Sequence, residues 1–341
     1  MAFQINNRRY TGNKHKLIPE IRELILSNCK NCNSFFDVFA GTGVVTAGLI
    51  DSFSTFIIND FLYSNEVIFR AFFEKEDYDL MKIVKISQEF NSLDSSLLKD
   101  NYVSKNYGNK YFEYSDSLKI GYIRDRLDAL KNKLNNREYY ILLCSLLYSL
   151  DRSANTVGHF EAYIKNNGSL KPSFHFELIE PIIKSSKDKR DIKIFREDSN
   201  ELVKHVRADV AYIDPPYSSR QYSRFYHVLE NIVTWKKPEL FGVAMKPKPE
   251  NMSAYCSSKA IDAFRKLIAN LDCKYIVVSY NNTYNSKSNS SKNKMTLEDI
   301  LSTLESKGKT KKIEINYHPF NAGKTSMEDH KELLFFTEVK R

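Results

Sequence analysis

No apolar run in this chain is long enough to cross a bilayer. The longest, "YYILLCSLLYSL", falls well short of the ~20 residues a spanning helix needs. The opening "MAFQINNRRY" lacks the apolar core of a secretory signal, so a cytoplasmic location is expected, with no membrane partner. Cysteine is scarce and odd in number: five scattered thiols argue for reduced side chains rather than a disulfide framework. Cys29 and Cys32 make one CxxC with neither a second pair nor a histidine at ligand spacing, so no metal is expected. No internal repeat is visible. Acidic residues are outnumbered, 42 against 51 Lys and Arg, and the resulting net charge of +9 favours a polyanionic partner. What the chain does have is apolar content, 42% of 341 residues, enough for one large domain or two unequal ones.

The apolar runs fall into two periods. Short β-branched or aromatic runs ending in polar or turn residues predict strands at 34–41, 55–60, 191–198, 209–216 and 274–282, with a final pair at 311–318 and 332–340. Helical periodicity marks 14–28, 43–51, 223–235, 258–271 and 294–306. Alternation of continuous apolar strands with helices predicts an α/β domain with a Rossmann-like sheet covered on both faces. The stretch 63–190 breaks the alternation and reads as a mainly helical insert. That gives a catalytic domain of 1–62 plus 191–341 interrupted by a 63–190 subdomain. A Ser, Asn and Lys tract, "TYNSKSNSSKNK" at 283–294, reads as a mobile loop.

In "DVFAGTGVVTAG", Asp37, Gly41 and Gly43 sit where a strand turns into a helix, so bare backbone can approach a ligand at the strand's carboxyl end. Thr46 stands at the third glycine position of the dinucleotide fingerprint, which counts against NAD. The next strand ends in "IIND" and places Asp60 where an acid can accept hydrogen bonds from both hydroxyls of a ribose.

A second strand end carries Asp214, Pro215, Pro216 and Tyr217. It offers a carboxylate acceptor, a stiffly held prolyl carbonyl and an aromatic face. Together these suit a planar exocyclic amine: two acceptors take its hydrogens, the lone pair turns toward an electrophile, and the ring stacks on the base. No metal is required for that chemistry.

With these motifs in hand, the chain resembles the alpha-group, Dam-like DNA adenine-N6 methyltransferases of restriction-modification type. The resemblance rests on "RRYTGNKHKLIPEI" (8–21), "DVFAGTG" (37–43), "FREDSNEL" (195–202), "DPPY" (214–217) and "RFYHVLENI" (224–232), in the family's order. It extends over nearly the whole chain, and within the insert "LDRSANTVGHFEAYIK" followed by "LKPSF" resembles the family's target-recognition region. Asn13 departs from it, standing where a glycine is common.

The resemblance implies S-adenosylmethionine as cofactor. It implies that Tyr10 and Lys14 lie toward the methionine end, Asp37, Phe39, Gly41, Gly43 and Asp60 around the cofactor loop, and Asp198 and Ser199 toward its adenine. It further implies Asp214, Pro215, Pro216 and Tyr217 as the catalytic motif, double-stranded DNA as substrate, and a paired restriction endonuclease. Arg220 and Tyr222 follow the catalytic motif closely enough to reach a flipped base's gap or a phosphate, and Arg152 and Asn155 have the chemistry to read base edges. Methylation of cytosine N4, of RNA adenine, or a catalytically inactive DNA-binding protein on the same fold remain open at this point; a glutamine methyltransferase would carry Asn where Asp214 stands.

Overall fold

The protein is described by a computed structural model covering residues 2–165, 170–281, 293–316 and 331–340. The chain divides into two compact units. One holds Met1–Asn13, Leu62–Lys189 and Ser223–Glu250, and the other Lys14–Phe61, Arg190–Tyr222 and Asn251–Arg341. The first is built from helices and the second around a sheet. The segments 1–13 and 223–250 belong to the helical unit, so its extent differs from the 63–190 drawn from sequence.

The sheet unit carries seven strands: β1 (Ser34–Asp37), β2 (Thr55–Asn59), β3 (Asp191–Phe195), β4 (Val210–Ile213), β5 (Tyr275–Asn281), β6 (Gly308–Asn316) and β7 (Lys331–Val339). Their order is β3-β2-β1-β4-β5-β7-β6, so all seven predicted strands form one mixed α/β sheet. The first five pair in parallel, while β7 runs antiparallel to both β5 and β6. The order reverses between β1 and β4, and a parallel sheet opens a crevice outside the carboxyl ends of its strands at such a point.

The core explains the continuous apolar strands. Phe36, Ala211, Ile213, Ile276, Val278, Tyr280, Leu333 and Phe335 alternate along four strands and pack against Ala260, Phe264, Leu267, Ile300 and Leu304 of the helices Ala260–Asn270 and Leu297–Lys307. The intervening residues Phe35, Val210, Tyr212, Val277 and Leu334 are buried as well. A strand buried on both faces has no polar side to show, which is why these runs lack alternation. The helices Ile18–Asn28 and Val44–Leu49 pack on each other in the same unit.

At the amino ends of the strands, Asp209 fastens three of them. It accepts the backbone N–H groups of Asn33 (2.7 Å) and Ser34 (3.0 Å) and pairs with Lys274 at 2.6 Å. Burial alone would raise its carboxyl, but the Lys274 bond and these donors bring it down to about 2.

The helical unit contains Tyr63–Phe73, Leu80–Asn91, Tyr102–Tyr107, Tyr114–Leu130, Asn136–Ser153 and His227–Thr234. The apolar run of Asn136–Ser153 is almost wholly buried, and Tyr63–Phe73 lies against it. Among the described residues no helix is long and apolar enough to cross a membrane. All five cysteines are free thiols. The tract at 283–292 lies outside the described residues.

Candidate active site

Two strand ends at the reversal of strand order carry the chemistry. After β1 the chain passes through Gly41 (φ +56°) and Gly43 (φ +77°), left-handed conformations that glycine adopts without steric cost, before the helix Val44–Leu49 begins. Asp60, just past β2, accepts the Gly41 N–H at 2.9 Å through Oδ2.

Thr46, the residue that broke the glycine fingerprint, donates its hydroxyl to Asp37 Oδ2 at 2.8 Å. The other oxygen of this buried carboxylate has no hydrogen-bond partner among the described residues. Burial raises the Asp37 carboxyl to about 7; the Thr46 bond works against that rise, and the charges of Asp214 and Asp60 add to it.

A buried asparagine holds the neighbouring turn. Asn59 Nδ2 donates to the carbonyls of Val38 and Glu197 and to Ser199 Oγ, each at 3.2 Å, and Asn59 Oδ1 accepts the Glu197 N–H at 3.0 Å. Asp198 therefore stands at a fixed place beside β1, exposed, with its side chain capping the short helix Ser199–Leu202 through the Asn200 N–H. Phe39 packs edge-on against Tyr255 at 5.0 Å, and the Tyr255 hydroxyl donates to Asn200 at 3.0 Å. A carboxylate, a glycine turn, a second carboxylate, an exposed acid and an aromatic ring thus share one edge of the sheet.

At the end of β4, Asp214 and Tyr217 meet Lys14. The Lys14 ammonium lies 3.2 Å from Asp214 Oδ1, donates to the Tyr217 hydroxyl at 3.0 Å and lies 3.7 Å from Glu332 Oε2. Lys14 is only 4% exposed. Burial works to lower its pKa, but Asp214 first and Glu332 second pull it well above the ordinary lysine value, so it stays charged. Burial also raises the Asp214 carboxyl, which Lys14 opposes and Glu332 reinforces, to about 6. Tyr217 is held from three sides: Lys14 on its hydroxyl, Tyr280 edge-on at 5.4 Å, and the Lys294 N–H on its carbonyl at 2.8 Å.

Beyond this motif Arg220 is exposed, and its carbonyl accepts from the Cys256 thiol at 3.3 Å. Gln221 exchanges two hydrogen bonds with the Ser253 backbone, anchoring the segment that leads into Tyr222.

The remaining candidates belong to the helical unit. Tyr10 stacks on Tyr226 (4.8 Å, 9° between planes), the Thr11 N–H donates to the Tyr226 hydroxyl, and the Arg8 guanidinium lies 5.1 Å from each ring. Arg152 pairs with Glu177 at 2.7 Å and lies 4.6 Å from the Phe3 ring centroid. Asn155 donates through Nδ2 to the carbonyls of Lys110 and Ile164.

Residues 10–295 match the family described as D12 class N6 adenine-specific DNA methyltransferase. The chain belongs to that family. It is 33% identical to Modification methylase StsI of Streptococcus sanguinis over 80% of this chain and 44% of that protein. It is 29% identical to Type II methyltransferase M.FokI of Planomicrobium okeanokoites over 93% of this chain and 50% of that one. The chain thus spans about half the length of these curated relatives. With Type II methyltransferase M.NlaIII of Neisseria lactamica it shares 28% identity over 94% of this chain and 95% of that protein. Membership agrees with the resemblance read from "DVFAGTG" and "DPPY".

Three residues that contact the candidates described above were not singled out from sequence. Asn59 is visible in "IIND" as a polar residue inside an apolar run, a signal of a buried hydrogen-bonding role. Tyr226 stands in "RFYH", where nothing local points to Tyr10 as its stacking partner. Glu332 carries no local signal, because one acid at the start of a strand is ordinary.

Proposed function

We propose that this protein transfers a methyl group from S-adenosylmethionine to the N6 amino group of adenine in duplex DNA. In this reading it is the modification component of a restriction-modification system, with a cognate endonuclease. The observation that carries it is the grip of Lys14 on Asp214 Oδ1 and on the Tyr217 hydroxyl, which sets a carboxylate and an aromatic ring side by side at a strand end.

The cofactor fits the other half of this edge. The positive-φ turn through Gly41 and Gly43 leaves room for a ligand against backbone, and Asp37 presents a buried oxygen with no hydrogen-bond partner among the described residues. Asp60 would hold the ribose, Phe39 and the Asp198–Ser199 turn the adenine ring, and Asp37 and Lys14 would line the approach to the methionine portion, with Tyr10 retained there as a proposal. S-adenosylmethionine supplies an electrophilic methyl on a sulfonium, whose carbon–sulfur bond breaks as the bond to N6 forms.

The protein's own part is placement. Asp214 and the Pro215 carbonyl accept the two amine hydrogens and orient the lone pair, Pro216 stiffens the turn, and Tyr217 stacks on the base. The proton released from N6 passes to Asp214 or to water. A paired adenine is out of reach inside a duplex, so the base must be flipped at a cost of a few kcal/mol, which stacking on Tyr217 partly offsets. The helical unit is proposed to recognise the target through Arg152 and Asn155, and Arg220 and Tyr222 of the sheet unit are proposed as further DNA contacts; Arg152 would exchange Glu177 for a base edge or phosphate.

The deciding experiment supplies labelled S-adenosylmethionine and duplex DNA, digests the product to nucleosides and identifies the methylated one. N6-methyladenine is expected. N4-methylcytosine, or transfer to RNA alone, would overturn the reading.

A further inference from the structure

We propose that Glu332 is a positioning residue of the methyl-transfer site: it shares the Lys14 ammonium with Asp214, so that Lys14 holds one oxygen of the catalytic carboxylate without taking up its whole charge. The proposal rests on the function just stated and extends it to a residue outside every motif.

Strand direction delivers the side chain. β5 runs parallel to β4 and ends on the same edge of the sheet, while β7 is antiparallel and pairs its Glu332 with Asn281, the last residue of β5. An antiparallel strand brings its first residues to the edge where its parallel neighbours finish. Glu332 therefore arrives beside Asp214 from the far side of the sheet's parallel half, and it is only 5% exposed.

Three groups compete for one ammonium. Lys14 bonds the Tyr217 hydroxyl at 3.0 Å and lies 3.2 Å from Asp214 and 3.7 Å from Glu332. Among the described residues, the ionisable groups facing Asp214 are Lys14, Glu332 on β7, Tyr217 in its own turn, Tyr212 on β4 and Asp37 at the end of β1. Only Lys14 among them is cationic. If Lys14 served Asp214 alone, it would neutralise the acceptor on which the substrate amine depends. With Glu332 drawing on the same charge, Asp214 remains a better acceptor and base, and its carboxyl titrates closer to working pH.

The test compares wild type, Glu332→Gln, Glu332→Asp, Lys14→Gln and the Lys14→Gln/Glu332→Gln double variant. Each is read by single-turnover methyl transfer against pH and by a ¹³C carboxyl titration of Asp214, assigned with Asp214→Asn. Activity needs the ionised carboxylate, so the wild-type rate falls as pH drops through the Asp214 pKa. In Glu332→Gln the acid limb and the carboxyl titration both move down by about one pH unit, and Glu332→Asp returns them toward wild type. In Lys14→Gln both move up, because Glu332 then faces Asp214 without a cation, and the double variant brings them back down.

General loss of stability cannot shift the two single variants in opposite directions. Should Glu332→Gln alone fail to fold, the comparison of Lys14→Gln with the Lys14→Gln/Glu332→Gln double variant at the same readouts still reports the effect of removing the acid. Limbs and titrations that stay at the wild-type position would overturn the proposal. A wild-type protein that methylates no adenine sinks the functional reading itself before any variant is made, and the carboxyl titration still decides the charge coupling.

Discussion

The Asp60 carboxylate accepts the backbone N–H of Gly41 at 2.9 Å, so the acid at the end of β2 braces the glycine turn at the end of β1. One side chain thereby does two jobs in the proposed cofactor site: Oδ2 fixes a left-handed backbone, and the carboxylate still stands where a ribose would be bound.

Asp60→Ala is expected to weaken S-adenosylmethionine binding by about 1.5–3 kcal/mol for each hydrogen bond lost to the charged acceptor. Far-ultraviolet circular dichroism should remain that of the wild type. Calorimetry reporting an unchanged Kd would remove Asp60 from the site.

Asp214→Ala should abolish methyl transfer and leave cofactor affinity nearly intact, because in the proposed function the carboxylate faces the substrate amine. Tyr217→Ala loses the stacking face as well, worth ~1–3 kcal/mol per base in comparable contacts. From sequence alone Tyr217→Phe would keep most activity. The structure lowers that expectation, since the hydroxyl accepts from Lys14 and phenylalanine leaves this buried ammonium one partner short. Activity between those of wild type and Tyr217→Ala is expected in the tritium-transfer assay; wild-type activity would show that the ring alone matters.

Asp37 makes ligand-free stability depend on pH. Burial holds its folded carboxyl at about 7, against an ordinary 3.8. A raised carboxyl binds a proton more tightly when folded, so its stabilising contribution is complete below the unfolded value and is lost as pH rises from about 4 to about 7. Asp37→Asn keeps an oxygen for Thr46 and should flatten that decline in melting temperature. Parallel curves for the two proteins would contradict the assignment.

Asp209 predicts a variant that separates fold from function. It lies before β4, at the opposite end of that strand from Asp214, and holds the starts of β1 and β5. Its depressed carboxyl contributes stability above the unfolded value, lost as pH falls through about 2. Asp209→Ala should lower the melting temperature by several degrees at neutral pH and leave the Kd for S-adenosylmethionine unchanged. Altered affinity with an unaltered melt would reverse the assignment.

DNA binding should weaken steeply with salt, because each phosphate neutralised by a lysine or arginine releases condensed counterion, with a log–log slope of about −0.9 per contact. The excess of 51 basic over 42 acidic residues supports that expectation. Fluorescence anisotropy of a labelled duplex across a salt series measures the slope, and a flat response would argue against a duplex substrate.

Sequence alone carried the strands and the acids at their ends. "SFFD", "TFIIN", "VAYI" and "YIVVSYN" are strands buried on both faces, and burial on both faces leaves its mark within four to seven consecutive residues. A strand that ends in Asp or in a glycine turn is just as local, so Asp37, Gly41, Asp60 and Asp214 could be picked out without coordinates. The helical unit was legible only as a break in that alternation, and its extent was not: Tyr10 and Lys14 share a motif, yet the first stacks on Tyr226 in the helical unit while the second reaches Asp214 in the sheet unit.

Partnership was decided by tertiary structure. Lys14 and Tyr217 are 203 positions apart, and Glu332 meets them because an antiparallel strand lies beside β5. Arg152 has the chemistry of a base reader in any sequence, but Glu177 and Phe3 hold it here. Periodicity records whether a residue is buried, since burial repeats along one element. Which charge it meets depends on strand order and direction, set by the packing of all the elements together, and no local pattern encodes that.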